Sequence, residues 1–435
     1  MTEPRAAVIG AGLAGCEAAW QLLKRGIPVS LYDMKPGKKS PAHEADGFAE
    51  LVCSNSLRSD RLQNAAGLLK EEMRRLDSLI MRSADQARVP AGGALAVDRE
   101  SFSGFITKTL KDHPLLRFEE REINELPLQN TIIATGPLTS DAFSEAIASL
   151  PGLGTLHFYD AAAPIVAKES INMEKAFLAS RYGRGDDDYI NCPMDEEEYK
   201  AFYHALIGAQ TAPIHGFEES KVFEGCMPVE SMARRGEMAL AFGPLKPVGL
   251  IDPRSGRQPF AVLQLRRDDA SDSLYNLVGF QTRLKFPEQK RVFGMIPGLE
   301  EAEYARYGIM HRNTFINSPQ ILGPDFMVKG SEGIYFAGQI TGVEGYVESA
   351  ASGLAAGIQL ALRLKGRETA FFPASTAIGS LSRYISTFNR NYQPMHVSFG
   401  LIDPLKERVR GKEQRYLRVS EIALETIEAL KPQLA

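Results

Sequence analysis

The stretch Ala6-Ala7-Val8-Ile9-Gly10-Ala11-Gly12-Leu13-Ala14-Gly15 decides the fold of this chain. Its first four residues predict a buried strand, and the three glycines form a GxGxxG turn that leads into a helix ending at Gly26. In such a turn the first glycine allows a tight bend and the second lets the backbone approach a pyrophosphate. The third lets the helix pack closely on the strand, and the helix N-terminus faces the negative charge. We therefore expect a dinucleotide to bind at Gly10, Ala11, Gly12, Leu13, Ala14 and Gly15.

A second predicted strand, residues 29–32, ends on Asp33. Asp33 follows Gly15 by 18 residues, which is the placement of an acidic residue that accepts a hydrogen bond from a ribose hydroxyl. Strand, turn, helix and strand together form one βαβ unit of the dinucleotide-binding fold. A chance glycine-rich turn is the alternative.

Two later segments bear on the choice between FAD and NAD. Residues 131–134 predict a buried strand ending at Thr135 and Gly136, similar to the strand-end signature of flavoproteins with two dinucleotide-binding domains. Residues 333–338 end on Gly338 and continue into Gln339, and are similar to the final strand of those proteins, whose loop approaches the flavin. Each segment alone could be an ordinary strand and turn. Three such signals in the expected order favour FAD.

Length and composition limit the class of protein. With 435 residues, 44% hydrophobic and 24% charged, the chain has a globular composition and the length of two domains, or of one domain with an insertion. No apolar stretch reaches the length of a membrane span and nothing resembles a signal peptide, so we expect a cytoplasmic protein without membrane contact. Its four cysteines form no CxxC pair, which argues against a metal site and a disulfide framework.

A change in composition after about residue 160 predicts the domain organisation. The predicted fold class is α/β: an FAD-binding Rossmann-like domain of the two-dinucleotide-domain flavoprotein type, formed by residues 1–160 and 295–435, interrupted by a smaller mixed α+β insertion domain at 161–294. Residues 221–291 hold 12 Lys/Arg and 8 Asp/Glu, whereas the whole chain has a net charge of −4. This asymmetry is typical of an RNA-facing surface and equally of a salt-bridged surface.

Two of the cysteines are candidates for chemistry. Cys53 lies in a loop, residues 36–60, that we interpret as covering a ligand, and Arg58 nearby could favour its thiolate. Cys226 lies between a glycine and a proline-bearing turn. On composition alone, buried filler is the commoner role for such residues, and we assign that role to Cys16 and Cys192.

Several longer motifs carry a specific resemblance. They are ELVCSNSLR at 50–58, GLLKEEM at 67–73, GCMPVE at 225–230 and GQITGVEGY at 338–346. By these motifs the chain resembles the folate- and FAD-dependent tRNA (uracil-5-)-methyltransferase family, TrmFO, from Gly10 to about residue 364 and more weakly beyond it. It departs from the expected pattern at Gly294, where we expect arginine, and at His396, where we expect asparagine.

The resemblance implies methylation of C5 of uridine 54 in the T-loop of tRNA. The carbon comes from 5,10-methylenetetrahydrofolate, and the electrons come from NADH or NADPH through FAD. The family's two catalytic cysteines map onto Cys53 and Cys226. Cys226 is the candidate nucleophile for C6 of uracil, and Cys53 the candidate for supporting the flavin-bound one-carbon unit or acting as base.

The resemblance also extends the set of site residues. Gly345 and Tyr346 belong to the loop that approaches the flavin. His311 and Tyr346 are candidates for the folate pocket, as a hydrogen-bonding group and a stacking ring. The tRNA-contacting candidates in the basic stretch are Arg234, Arg235, Arg266 and Arg267.

Three other functions are compatible with parts of this pattern. A related FAD protein installs carboxymethylaminomethyl groups at the tRNA wobble uridine, but that family is longer, with a C-terminal helical extension. A flavin oxidoreductase of small molecules would need neither the basic insertion nor two isolated cysteines. An FAD-stabilised tRNA-binding factor without catalysis would keep the basic surface and tolerate loss of both cysteines.

Overall fold

The computed structural model describes residues 6–40, 42–126, 129–150, 155–161, 163–183, 186–212, 227–308, 310–390 and 392–435. Within them the strands are β1 Ala6–Ile9, β2 Val29–Asp33, β3 Ser56–Ser59, β4 Arg88–Val89, β5 Ala94–Val97, β6 Leu116–Glu120, β7 Thr131–Ile133, β8 Thr155–Ala161, β9 Ile165–Ala167, β10 Phe177–Leu178, β11 Tyr189–Met194, β12 Ala261–Arg267, β13 Leu274–Leu277, β14 Tyr304–Arg306, β15 Met310–Ile316 and β16 Ile334–Phe336. The helices are α1 Leu13–Leu23, α2 Ala65–Arg75, α3 Leu79–Gln86, α4 Arg99–Lys111, α5 Asp141–Ala148, α6 Glu196–Ile207, α7 Val229–Ala233, α8 Ala239–Phe242, α9 Phe286–Phe293, α10 Ser318–Ile321, α11 Tyr346–Leu364, α12 Ala377–Ser386 and α13 Lys412–Leu434.

A five-stranded parallel sheet in the order β16-β7-β1-β2-β6 forms the centre of the first unit. β1 and β7 are short apolar runs with buried side chains, as strands covered by helices on both faces must be. Helix α11 packs against α1, and the contact is so close that a Cβ at Gly353 would lie 2.1 Å from the carbonyl oxygen of Ala14. This arrangement confirms the predicted α/β class with a parallel nucleotide-binding sheet.

A six-stranded sheet in the order β10-β11-β12-β13-β9-β14 forms the second unit. It has a hydrophobic core of its own, which runs from Val166 to Ala302 and includes Tyr199, Phe202 and Phe280. Because β14 pairs with β9, residues 304–306 belong to this sheet, although they lie beyond the boundary predicted at 294. We keep the two-part division as a proposal, with its second boundary after Arg306.

A three-stranded sheet in the order β3-β5-β4 fixes one end of the 36–60 loop. β3 lies inside this loop, for which we predicted no regular structure. β8 and β15 pair along residues 155–161 and 310–316, where the chain leaves the first unit and returns to it.

The apolar spacing of residues 64–82 predicts a single amphipathic helix, and this prediction is wrong. The chain forms α2 and α3 instead, separated at Asp77, whose φ is +59°. Ser78 then starts α3, because its side chain accepts a hydrogen bond from the backbone N–H of Met81 at 3.1 Å. The apolar spacing alone predicts one continuous helix, but the N-cap residue Ser78 starts a second one.

Candidate active site

A cavity lies at the carboxyl ends of β1, β2 and β7, the position at which parallel α/β sheets bind ligands. It contains about 1110 Å³ of empty space, its open mouth included. The predicted cofactor-binding residues in its wall are Gly10, Gly12, Leu13, Ala14, Asp33, Thr135, Gly136, Gly338, Gln339 and Tyr346. Ala11 lies in the turn beside this wall, Gly15 lies in α1, and Gly345 directly precedes α11.

The three motif glycines have different surroundings. Gly10 has a φ of +101°, and a Cβ there would lie 2.5 Å from the carbonyl oxygen of Ala134. A Cβ at Gly15 would collide with the carbonyl of Gly10 at 1.7 Å. A Cβ at Gly12 would meet no other part of the described chain within 4 Å. Gly10 and Gly15 therefore permit close packing, and Gly12 leaves the cavity open at the start of α1.

Asp33 joins the two strands that flank the cavity. Its carboxylate accepts the backbone N–H of Ala11 at 2.6 Å and that of Lys35 at 2.9 Å. A carboxylate has about four lone-pair sites, so two acceptor sites are left for a ligand hydroxyl. Asp33 thus holds the glycine turn against β2 and can also bind a ribose.

Cys53 and Tyr346 are in direct contact. The phenol oxygen of Tyr346 lies 3.0 Å from Sγ of Cys53, and it accepts the backbone N–H groups of Cys53 at 2.8 Å and Ser54 at 3.3 Å. Burial, reinforced by the charge of Cys53, raises the pKa of Tyr346 well above its ordinary value. The structure therefore places the predicted reactive thiol against the loop predicted to approach the flavin.

Two arginines hold the loop around Cys53. Arg99, from α4, donates to the carbonyl of Leu51 and pairs with Asp268 through two contacts of 3.0 and 3.2 Å. Its charge also interacts with Cys53. Arg266, from β12, donates to Oγ of Ser54 at 2.8 Å and to Oδ1 of Asn55 at 3.2 Å. The second unit thus contributes directly to the position of the thiol.

Arg58, the cation that we expected beside Cys53, forms an ion pair with the fully buried Glu348. Glu348 lies in the first turn of α11, two residues after Tyr346, and also accepts the backbone N–H of Val397 at 2.9 Å. The Arg58–Glu348 pair is therefore a second connection between the Cys53 loop and the start of α11.

Sequence reasoning missed several residues of the cavity wall, among them Lys35, His43 and Glu50. Nζ of Lys35 donates to the carbonyl of Gly47 at 2.7 Å and lies 3.7 Å from a carboxylate oxygen of Glu50. Burial, then the charge of Lys35, lowers the pKa of His43. Lys35 and His43 lie two and ten residues after Asp33, but no motif distinguishes them from other polar loop residues, whereas Glu50 opens the ELVCSNSLR motif, which was the available signal.

The four tRNA candidates are not in one place. Arg234 and Arg235 are exposed at the end of α7, and Arg267 pairs with Asp272 at 2.9 Å. Arg266 is buried beneath the Cys53 loop, so the structure gives it protein partners rather than a surface position. Cys226 lies outside the described residues, as does the side chain of His311, whose backbone belongs to β15.

Comparisons with known proteins are consistent with this geometry. Residues 5–368 match the family model described as Glucose inhibited division protein A. The chain is 59% identical over 98% of its length to the Methylenetetrahydrofolate--tRNA-(uracil-5-)-methyltransferase TrmFO of Listeria welshimeri, covering 99% of that protein. It has the same identity and share of its length with the TrmFO of Lactobacillus johnsonii, covering 98% of that protein.

The chain belongs to the TrmFO family.

The fold is similar to that of Aquifex aeolicus GidA, with a TM-score of 0.69 at 15% sequence identity. That alignment covers 99% of this chain and 75% of the GidA chain, whereas the TrmFO relatives match almost end to end. This structural likeness shows the fold alone, and membership of the TrmFO family follows from the sequence relatives.

The two departures from the TrmFO pattern have different surroundings. Gly294 follows the last residue of α9. Nδ1 of His396 lies 2.8 Å from the carbonyl oxygen of Glu344 and 3.8 Å from a carboxylate oxygen of Glu348. Burial lowers the pKa of His396. Of the two departures, His396 is the one in contact with the loop that carries Tyr346.

The remaining described cysteines are structural, as predicted. Cys16 and Cys192 are fully buried, in the cores of the first and second units respectively. Burial raises the pKa of Cys192 to about 12 and raises that of Cys16 as well.

Two other kinds of feature are absent from the described parts of the chain. No group of three or more His, Cys, Asp or Glu side chains there is arranged to hold a metal ion. Among the described helices, none combines the length and the apolar character that crossing a membrane requires.

Proposed function

We propose that this chain transfers a one-carbon unit from 5,10-methylenetetrahydrofolate to C5 of uracil in tRNA, with FAD as its bound cofactor. The observation that carries the proposal is the contact between Cys53 and Tyr346 at the wall of the dinucleotide cavity. It supports the proposal because the thiol of Cys53 lies 3.0 Å from the hydroxyl of a residue in the wall of the proposed FAD site. The TrmFO relatives, which match over nearly the whole chain, carry this activity in their name.

The cavity residues fit FAD. The uncapped start of α1 at Gly12 offers backbone N–H groups to a pyrophosphate, and Asp33 can accept from a ribose hydroxyl. Gly338 and Gln339, at the end of β16, would lie along the ribityl chain and flavin. When bound, reduced FAD supplies the electrons that convert the transferred methylene into a methyl group.

The chemistry at uracil needs two protein groups. C5 is a poor nucleophile until a thiolate adds to C6 and makes C5 an enolate carbon. We assign this addition to Cys226. After C5 has bonded to the methylene carbon, the C5 proton must leave before the C6–S bond breaks, and Sγ of Cys53 is our candidate to take it. The Cys53 loop is held in position for this proton transfer by Tyr346, Arg99 and Arg266.

Recognition of tRNA is the finer part of the proposal. We assign the target to uridine 54 of the T-loop, and the reductant to NADH or NADPH. A uridine in that loop is stacked and must be extruded, at a cost of a few kcal/mol that phosphate contacts offset. Arg234, Arg235 and Arg267 remain the candidates for these contacts, and His311 remains a candidate for the folate pocket.

One assay tests the activity. The FAD-loaded protein is incubated with NADPH, methylenetetrahydrofolate and an unmodified tRNA transcript, and nuclease digests are analysed for 5-methyluridine by mass spectrometry. We expect 5-methyluridine at position 54, and none in a transcript carrying cytidine there. Absence of 5-methyluridine from the first transcript contradicts the proposal. If 5-methyluridine forms at another uridine, the proposed reaction stands but its assignment to position 54 is wrong.

The same digests test the alternatives. A carboxymethylaminomethyl group at the wobble uridine would indicate the related FAD family, but the full-length match to TrmFO relatives favours methylation. If the Cys53→Ala and Cys226→Ala variants keep full turnover, neither cysteine has the role assigned to it. If tRNA affinity and its salt dependence are unchanged in Arg234→Ala and Arg235→Ala, these two arginines do not belong to the tRNA-binding surface.

A further inference from the structure

Three stacked aromatic rings lie on the second unit. Phe286 opens α9, Tyr304 opens β14, and Tyr307 follows that strand. The rings of Phe286 and Tyr307 are 4.7 Å apart at 18°, and those of Tyr304 and Tyr307 are 4.9 Å apart at 5°. Phe286 is 51% exposed, whereas both tyrosines are half-buried. The stack is therefore open at its Phe286 end.

A buried glutamine fixes the two chain segments that carry the rings. The side-chain amide of Gln289 donates to the carbonyls of Leu284 and Gly308, both at 2.7 Å. Its oxygen accepts the N–H of Gly308 at 2.8 Å. Leu284 lies two residues before Phe286, and Gly308 directly follows Tyr307. Because the rings are already ordered, binding a planar group on them loses little conformational entropy.

Positive charge surrounds the open ring. Residues 283–291 contain four Lys/Arg and one Asp/Glu. Lys285 precedes Phe286 in the chain and Lys290 follows it by one helical turn, and both are exposed. An exposed aromatic ring between cations matches the sites at which proteins bind unpaired nucleotides, since every nucleotide offers a flat base and a charged phosphate.

The described residues on either side of the segment 213–226, which includes Cys226, are hydrogen-bonded close to the stack. On one side of that segment, Ala212 donates its N–H to the carbonyl of Arg283 at 2.8 Å. On the other side, Val229 donates to the carbonyl of Gln281 at 2.7 Å. Both anchors are within five residues of Phe286.

We propose that the Phe286–Tyr307–Tyr304 stack receives an unpaired base of the RNA substrate, with Phe286 as the contacting ring. The proposal rests on the proposed function, since it assumes an RNA substrate, and it extends that function by naming a specific binding surface. Charge complementarity favours RNA over a protein partner.

Affinity for an unmodified tRNA transcript, measured by fluorescence anisotropy at several salt concentrations with FAD-loaded protein, tests the stack. We expect Phe286→Ala to weaken binding about tenfold without changing the salt slope, because stacking releases no phosphate counterions. Phe286→Trp should bind at least as well as the wild type. Lys290→Ala should weaken binding and lower the salt slope by about one. Flavin absorbance and thermal unfolding check the fold of each variant.

Several results would overturn the proposal. They are wild-type affinity in Phe286→Ala, equal losses in the alanine and tryptophan variants, and a self-association that depends on Phe286 while tRNA affinity does not. Parallel 5-methyluridine assays on the wild type separate the two ideas. If the wild type makes no product but Phe286→Ala still weakens RNA binding, the proposed function fails and the RNA-binding surface stands.

Discussion

At the scale of single residues, the hydroxyl of Tyr346 has three hydrogen-bonding neighbours and one proton to donate. It accepts from the N–H groups of Cys53 and Ser54, so its proton is directed at Sγ of Cys53. Burial, together with the charge of Cys53, raises the pKa of Tyr346 well above its ordinary value, so the phenol stays protonated at neutral pH. The hydrogen bond therefore favours a charged sulfur and fixes where it points.

Removing this hydroxyl is a direct test. We predict that Tyr346→Phe lowers the rate of 5-methyluridine formation about 10- to 100-fold, the range expected for a lost hydrogen bond to a charged group. Flavin content should be unchanged. Tyr384→Phe is a matched control, because it also removes a phenol hydroxyl that is hydrogen-bonded to the backbone, in this case by donating to the carbonyl of Gln393. Equal rates in the two variants would contradict the role of Tyr346.

The thiols differ in their expected reactivity. With a pKa of about 12, Cys192 is roughly one part in ten thousand thiolate at pH 8, and Cys16 is suppressed in the same direction. Cys53 is partly exposed. We predict that iodoacetamide at pH 8 modifies Cys53 in the native protein well before Cys16 or Cys192, as measured by peptide mass spectrometry. Comparable labelling of all three after unfolding is the control, and early native labelling of Cys192 would refute the assignment.

At the scale of elements, a buried carboxylate joins α2 to α12. Glu72 accepts the backbone N–H groups of Ala377 at 2.7 Å and Ile378 at 2.9 Å, in the first turn of α12. These are donors that a helix N-terminus leaves without intrahelical partners. Desolvation nevertheless outweighs the two hydrogen bonds and raises the pKa of Glu72 from 4.5 to about 8.

This shift predicts a pH dependence of stability. Between pH 4.5 and about 8 the folded protein keeps the proton on Glu72 while the unfolded chain has lost it, so the stability contribution of this group falls as pH rises. Glu72→Gln carries no such proton. We predict that the melting temperature of Glu72→Gln, relative to the wild type, increases from pH 5 to pH 9. A constant difference across that range would show that Glu72 does not titrate as described.

Elements were predictable where local pattern and motif agree. The β1–α1–β2 unit followed from small apolar residues and glycine spacing, and Asp33 from its distance to Gly15. The break between α2 and α3 was not predicted, because apolar periodicity continues across Asp77. The residues that hold the Cys53 loop could not be predicted from the sequence, for another reason. Arg99 and Asp268 are 169 residues apart, and no local signal predicts which distant charges will meet.

At the scale of the whole molecule, the position of Cys53 depends on contacts between the two units. Arg99 of the first unit pairs with Asp268 of the second, and the side chains are 20% and 3% exposed. Arg266 of the second unit binds Ser54 and Asn55 beside the thiol. The unit that we assign to RNA binding thus also contacts the Cys53 loop.

A set of variants separates the structural from the positional role of this pair. Asp268→Asn leaves the largely buried Arg99 without its counter-charge. We predict a loss of about 2–3 kcal/mol in unfolding free energy. This is below the roughly 3–5 kcal/mol lost when a fully buried pair is broken, because Arg99 is partly solvated. The control is Glu196→Gln, which breaks the exposed Glu196–Lys200 pair and should leave the unfolding free energy nearly unchanged.

The double variant Arg99→Met/Asp268→Leu removes both charges, so no unpaired charge stays buried. We predict that it recovers most of the stability lost in Asp268→Asn while 5-methyluridine formation stays low. The reason is that methionine cannot donate to the carbonyl of Leu51, so the Cys53 loop loses one of its supports. Chemical denaturation and single-turnover methylation with saturating tRNA measure the two effects. If activity recovers in step with stability, the Arg99–Asp268 pair serves only the fold, and the position of Cys53 is set by Tyr346 and Arg266.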